Sequence, residues 1–276
     1  MRNNKLLTLT VFFSCLCVGS TALSQGVWTE LFPASAPSSR QDHGMAQFGN
    51  TILLFGGSLD KKSTTPLLND TWSWDGMTWT QLSPATTPPG VTGMAMGYDP
   101  VRNRVVMFSG TNVLSGVGYS TETWEWDGVD WQLMTPATSP PKRDWSDRAY
   151  DPYTGSMLLF GGRDSNHKPT GSFEPYNDTW SWNGVTWTQL FPATSPSIRI
   201  AHRMAFDKNL NKVVLTGGTA PGITGLNETW AWDGANWSLL TPSASYTKRA
   251  FSSMAFDDAR NVMVVHSGKD LVANNL

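Results

Sequence analysis

The sequence predicts an all-β fold of repeated four-stranded sheets, and three observations carry that prediction. A tryptophan motif recurs four times at nearly constant spacing. An apolar run ending in a small-residue pair precedes each copy. No segment shows the 3.6-residue apolar period of an amphipathic helix.

The motif is W-x-W-[D/N]-G-x-x-W. It begins at Trp72-Ser73-Trp74, Trp124-Glu125-Trp126, Trp180-Ser181-Trp182 and Trp230-Ala231-Trp232, and it ends at Trp79, Trp131, Trp187 and Trp237. The first tryptophans are 52, 56 and 50 residues apart, a period that signals a repeat architecture. Trp28 matches the third-tryptophan column on its own. Thirteen of the 14 tryptophans are thus repeat residues, and Trp145 is the exception.

Four extended segments, A to D, make up each repeat. Segment A ends in an aromatic and Asp, as in Tyr98-Asp99, Tyr150-Asp151, Phe206-Asp207 and Phe256-Asp257. Segment B is an apolar run into Gly56-Gly57, Gly161-Gly162 or Gly217-Gly218, with Ser109-Gly110 and Ser267-Gly268 in the other copies. Its unbroken apolar character implies burial on both faces. The glycines suit a tight backbone after the strand and are no phosphate loop, because no helix follows. Segment C is the Thr-Trp-x-Trp stretch, whose two tryptophans share a face because strand side chains alternate. Asp75-Gly76, Asp127-Gly128, Asn183-Gly184 and Asp233-Gly234 are turn signals that fold segment D back on segment C.

Four strands per repeat, with the inner ones buried on both sides, describe a blade of a β-propeller. The repeat tryptophans are expected in the cores between blades, where each buries roughly 150–250 Å². Val27 to Phe32 supplies a segment D without its A to C, and Ala250 to Gly268 supplies an A and a B without C or D. These complementary fragments predict a composite blade. The ring then has about five blades, four complete and one made by the two termini; the alternative is a truncated larger propeller.

Several features together resemble the kelch-repeat family over Val27 to Leu276. They are R-x-x-H before segment A (Arg40 to His43, Arg199 to His202), the glycine doublet and the segment D tryptophan. The resemblance implies a propeller whose B–C and D–A loops share one end, often used to bind partners. It also implies comparison with galactose-oxidase-like enzymes, which use such blades and a copper site with a Cys–Tyr crosslink.

Residues 1–24 are expected to be a secretory signal and residues 25–276 the propeller domain. Arg2 and Lys5 precede the apolar run Leu6 to Val18, and Ala22-Leu23-Ser24 offers small residues before a cleavage ahead of Gln25. The run is short of the ~20 residues that span a bilayer, so no stable membrane insertion is expected after cleavage. Cys15 and Cys17 both lie in this segment, which leaves the chain from Gln25 without the copper-site cysteine. The expected location is secreted, periplasmic or extracellular. With 20 basic and 22 acidic residues, the chain carries no basic footprint for nucleic acid.

Residues that break the repeat are the functional candidates. Lys142 to Arg148 holds Arg143, Asp144, Trp145, Asp147 and Arg148, the non-repeat tryptophan among charges of both signs. Arg40, Arg143, Arg199 and Arg249 share one column, with Val91 the exception; such a ring either binds a carboxylate or sugar acid or bonds loop carbonyls of neighbouring blades. Arg163 opens the longest B–C loop, and long loops on a rigid scaffold often carry function. Four histidines without paired spacing argue against a metal site, and no cofactor is expected. No nucleophile, base and orienting group form a catalytic set. The expected function is a non-enzymatic module that binds a protein or glycan through the B–C and D–A loop face. The alternative is a carbohydrate-active propeller enzyme, sialic-acid mutarotase-like or glycosidase-like.

Overall fold

A computed structural model describes residues 6–8, 29–59, 67–112, 118–164, 174–220, 225–241 and 246–269. It is an all-β propeller of about five blades. Blade 1 consists of Gly44–Phe48, Thr51–Phe55, Thr71–Trp74 and Trp79–Leu82, antiparallel and in chain order. Blade 2 runs Ala95–Asp99, Arg104–Phe108, Thr123–Trp126 and Trp131–Met134. Blade 3 runs Asp147–Asp151, Ser156–Phe160, Thr179–Trp182 and Trp187–Leu190. Blade 4 runs Arg203–Asp207, Lys212–Thr216, Thr229–Trp232 and Trp237–Leu240. These are segments A to D. Every residue of Ser156–Phe160 is buried, as its apolar run requires.

Tryptophan joins the blades. Trp131 of blade 2 lies 5.2 Å from Phe55 of blade 1 and donates its Nε1–H to Thr71 Oγ1 at 3.0 Å. Trp187 repeats this on Phe108 and Thr123 of blade 2, and Trp237 on Phe160 and Thr179 of blade 3. Each also packs on the second tryptophan of its own blade, as in Trp126–Trp131, Trp182–Trp187 and Trp232–Trp237. Trp124 and Trp180 are buried, whereas Trp72, Trp74 and Trp230 are half-buried.

The glycine pairs form the second joint. The second residue of each pair donates its N–H to a carbonyl in the following blade: Gly57 to Val91, Gly110 to Arg143, Gly162 to Arg199 and Gly218 to Arg249. At Gly161 and Gly217, φ is 61° and 69°, and a Cβ would stand 2.8 Å from the Arg199 and Arg249 carbonyl oxygens. Glycine meets both constraints without strain, and in blade 2 Ser109 takes the same conformation, φ 61°, with its hydroxyl donating to the Arg143 carbonyl.

The fifth sheet holds two strands, Ser253–Asp257 and Val262–His266. Thr29–Leu31 has the place of a fourth strand by connection length. Thirteen positions separate Leu31 from Gly44, as they do Leu82 from Ala95, Met134 from Asp147, Leu190 from Arg203 and Leu240 from Ser253. Its hydrogen-bonded neighbour is Leu6–Thr8, part of the expected signal segment. Trp28 lies outside the described residues. Among the described residues no strand pairing joins Thr29–Leu31 to Val262–His266, and no Gly268 to Arg40 bond repeats the glycine joint. A crevice bordered by Met45, Ile52, Met254 and Ala255 separates blade 1 from the fifth sheet. The terminal fragments therefore hold the sequence positions of one composite blade, and among the described residues no hydrogen bond joins them.

Candidate functional site

The arginine column lies inside the loop joints. Arg143 is fully buried: its Nη1 and Nη2 donate to Asp178 at 2.7 and 2.8 Å, Nη1 also to the Gly161 carbonyl, and Nε to the Pro141 carbonyl. Arg40 forms the same fork on Asp70 and the Gly56 carbonyl, and Arg199 bonds Glu228 and the Gly217 carbonyl. Arg249 bonds the Ser267 and Thr247 carbonyls. The acid also accepts from the first tryptophan of its own strand, as Asp178 does from Trp180 Nε1. With their donors engaged in this way, Arg40, Arg143 and Arg199 face neighbouring loops rather than an open ligand ring.

A different column builds the mouth of the central channel. Asp42, Gly93, Trp145, Ala201 and Phe251 all have left-handed φ, between 52° and 64°. Their backbones bond from blade to blade: Gly93 N–H to Asp42, Trp145 to Gly93, Ala201 to Trp145 and Phe251 to Ala201, each at 3.0 Å. Trp145 thus occupies a repeat position that tolerates many residue types. Its ring lies over Gly93, where a Cβ would meet it at 2.8 Å. It stands edge-on to Phe251 with centroids 5.0 Å apart, under the Arg163 guanidinium at 4.1 Å. Arg163 is held by Asp144, Nε to Oδ1 at 2.9 Å. Trp145 and Phe251 remain half-buried, so part of each ring is exposed.

Below the mouth lies a cavity of about 490 Å³. Its polar lining includes Asp42, His43, Asp147, Arg148 and Arg203; Met45, Met96, Met204 and Met254 supply much of the rest. Four methionines and Arg148 form one column of the inner strands. Arg148 pairs with Asp147 at 3.1 Å, while its buried Nε has no hydrogen-bond partner. Burial pushes the Arg148 pKa down to about 10. Burial and the neighbouring Asp144 raise the pKa of Asp42 against the opposing pull of Arg203 and Lys269.

The structure therefore brings Asp144, Trp145, Asp147, Arg148 and Arg163 together at the channel and separates Arg40, Arg143, Arg199 and Arg249 from them. Asp42, His43, Arg203 and Phe251 complete the site and were not foreseen. They lie two to four residues beyond the arginine column, a signal that column alignment alone carries. The loop residues 165–173 after Arg163 lie outside the described residues. Among the described residues no group of three His, Cys, Asp or Glu side chains suits a metal ion.

A family profile described as the Attractin/LZTR1 beta-propeller matches residues 18–219. Among curated proteins, a dynein regulatory complex subunit 7 of Chlamydomonas reinhardtii is 31% identical over 131 residues. That stretch covers 45% of this chain and 11% of the relative.

Proposed function

The chain belongs to the Attractin/LZTR1 β-propeller family, and on that premise we propose that it is a secreted propeller binding a protein or glycan partner through its loop face. The carrying observation is the half-buried trio of Trp145, Phe251 and Arg163 at the channel mouth. Aromatic and arginine side chains dominate binding hot spots, and aromatic rings bury large areas with little loss of side-chain entropy. The likeness to a subunit of a protein assembly supports a role in protein interaction. The test compares wild type with Trp145→Ala/Arg163→Ala on glycan arrays and in cross-linking of the secreted fraction. Loss of at least about tenfold in binding, with an unchanged melting midpoint, is the expected result. Undiminished binding overturns the mouth as the site.

A second reading, the carbohydrate-active one, is favoured by Arg148, which lines the channel cavity. With Arg203 it suits the carboxylate of a small sugar acid. Arg148→Met installs the residue that neighbouring blades carry in this column. It is expected to abolish calorimetric binding of uronic or sialic acids while leaving the fold intact; equal binding by wild type and variant sinks this reading.

A further inference from the structure

One outer hairpin differs from its three equivalents. Blades 1, 2 and 4 turn on Asp75-Gly76, Asp127-Gly128 and Asp233-Gly234, and blade 3 turns on Asn183-Gly184, the one asparagine–glycine pair in the sequence. The amide takes the place of the carboxylate with the same bonding. Asn183 Oδ1 accepts from the N–H groups of Val185 and Thr186 at 2.9 Å each, as Asp127 Oδ1 does from Val129 and Asp130. Asn183 is exposed, and glycine at 184 leaves the peptide nitrogen between them free of side-chain hindrance.

The surroundings of the glycine differ as well. A Cβ on Gly76 would meet nothing within 4 Å, on Gly128 it would meet Phe48 at 3.1 Å, and on Gly234 it would meet Tyr153 at 3.4 Å. On Gly184 it would stand 2.5 Å from Nη1 of Arg102, so a guanidinium lies against this glycine. Arg102 belongs to blade 2, where its Nε donates to Asp99 at 2.8 Å and its Nη1 to Glu125 at 2.7 Å. Its buried Nη2 has no hydrogen-bond partner among the described residues. A buried donor without an acceptor costs free energy, so this joint between blades 2 and 3 gains from an acid beside Arg102.

We propose that Asn183 is a self-modification site: the groups of the hairpin convert it to aspartate, and the product pairs with Arg102. The Gly184 nitrogen attacks Asn183 Cγ and gives up its proton as the Cγ–Nδ2 bond breaks. Ammonia leaves and a five-membered succinimide remains. Water then adds to Cγ, the ring bond from Cγ to nitrogen breaks, and the nitrogen recovers a proton. A carboxylate now stands at position 183.

Two features of the fold assist the first step. Negative charge develops on Oδ1 during the attack, and two N–H donors are already in place there. The Arg102 cation beside Gly184 favours the nitrogen as it loses its proton. Opening of the ring at the backbone carbonyl gives isoaspartate instead, which lengthens the connection between the paired Trp182 and Trp187. Aspartate restores the hairpin of the other three blades and is the form the fold retains. The hairpin lies at the end of the blades opposite the B–C and D–A loops, so the conversion leaves the loop face untouched.

The purified protein is held at physiological temperature and pH, native and in urea. Peptide mapping by mass spectrometry follows the exchange of amide for acid at residue 183, with fragmentation that separates aspartate from isoaspartate. Asn183 is expected to convert before any other asparagine, at a native rate within about tenfold of the unfolded chain. Arg102→Gln is expected to slow native conversion at least about threefold and to leave the unfolded rate unchanged. A loss of stability in that variant would move the native rate towards the unfolded one and cannot mimic the slowing. Asn183→Asp is expected to raise the melting midpoint by about 1–3 °C, and the gain should vanish beside Arg102→Gln. Slower native conversion than this overturns the proposal, as does an equal native rate in Arg102→Gln. Isoaspartate as the main native product, or the same midpoint gain without Arg102, overturns the pairing.

Discussion

Arg143 and Trp145 are two residues apart and serve opposite ends of the energetic range. Arg143 is fully buried and bound to Asp178 and two carbonyls. Arg143→Ala takes the counter-charge from Asp178, which keeps only its bond from Trp180, and a donor from two loop carbonyls, an expected loss of about 3–5 kcal/mol in denaturant unfolding. Trp145→Ala trims a half-buried ring and is expected to cost no more than about 1–2 kcal/mol. His202 gives the fold a pH dependence. Burial, then the positive charges of Arg199 and Arg203, holds its pKa well below the usual histidine range. The native state therefore favours the neutral ring, and the unfolded chain takes up the proton first. Stability from this group is complete above about pH 6.5 and falls as pH drops, by up to about 1.4 kcal/mol per pH unit. His43 shifts the same way, mainly through burial. His202→Met, the residue this column carries at Met94, should flatten the slope between pH 6.5 and 5; an unchanged slope in urea titrations would refute the assignment.

At the scale of elements, the outer hairpins show how a short sequence signal becomes geometry. Trp126 pairs with Trp131 across a four-residue connection, with Asp127 Oδ1 accepting from the N–H groups of Val129 and Asp130 at 2.8 Å each. Asp75, Asn183 and Asp233 do the same in their hairpins. Gly128 has φ of 107°, which a side chain rarely adopts. Asp127→Ala is expected to cost about 1 kcal/mol and Gly128→Ala about 1–2 kcal/mol, both read from urea midpoints. The acid–glycine pairs were legible because they act locally. The arginine column was legible as a column, but its partners were not. Asp178 is 35 positions from Arg143, and only the packing of strand C beside the next loop brings them together.

For the whole molecule, each joint from blade 1 to blade 5 has a glycine bond and a bond at the channel mouth, and the joint from blade 5 to blade 1 has neither among the described residues. Unfolding should therefore start at that seam. Amide exchange of Val262–His266 is expected to run at least about a hundredfold faster than that of Ser156–Phe160, which is buried on both faces. Equal protection of the two strands would show a ring that opens as one unit.

The sequence by itself determined the four-stranded repeat, the hairpin turns, the doubly buried second strands and the role of most tryptophans, because these follow from local period and burial. It also exposed the complementary fragments at the two ends. The tertiary structure decided which arginines are enclosed, that Trp145 belongs to a left-handed ring at the channel mouth, and that Asp42, His43 and Arg203 share its cavity. It also decided that, among the described residues, the fifth sheet and blade 1 share neither the glycine bond nor the mouth bond of the other joints. These outcomes depend on which side chains from different blades meet, and contacts across 30 to 80 positions are set by the closure of the ring rather than by any local pattern.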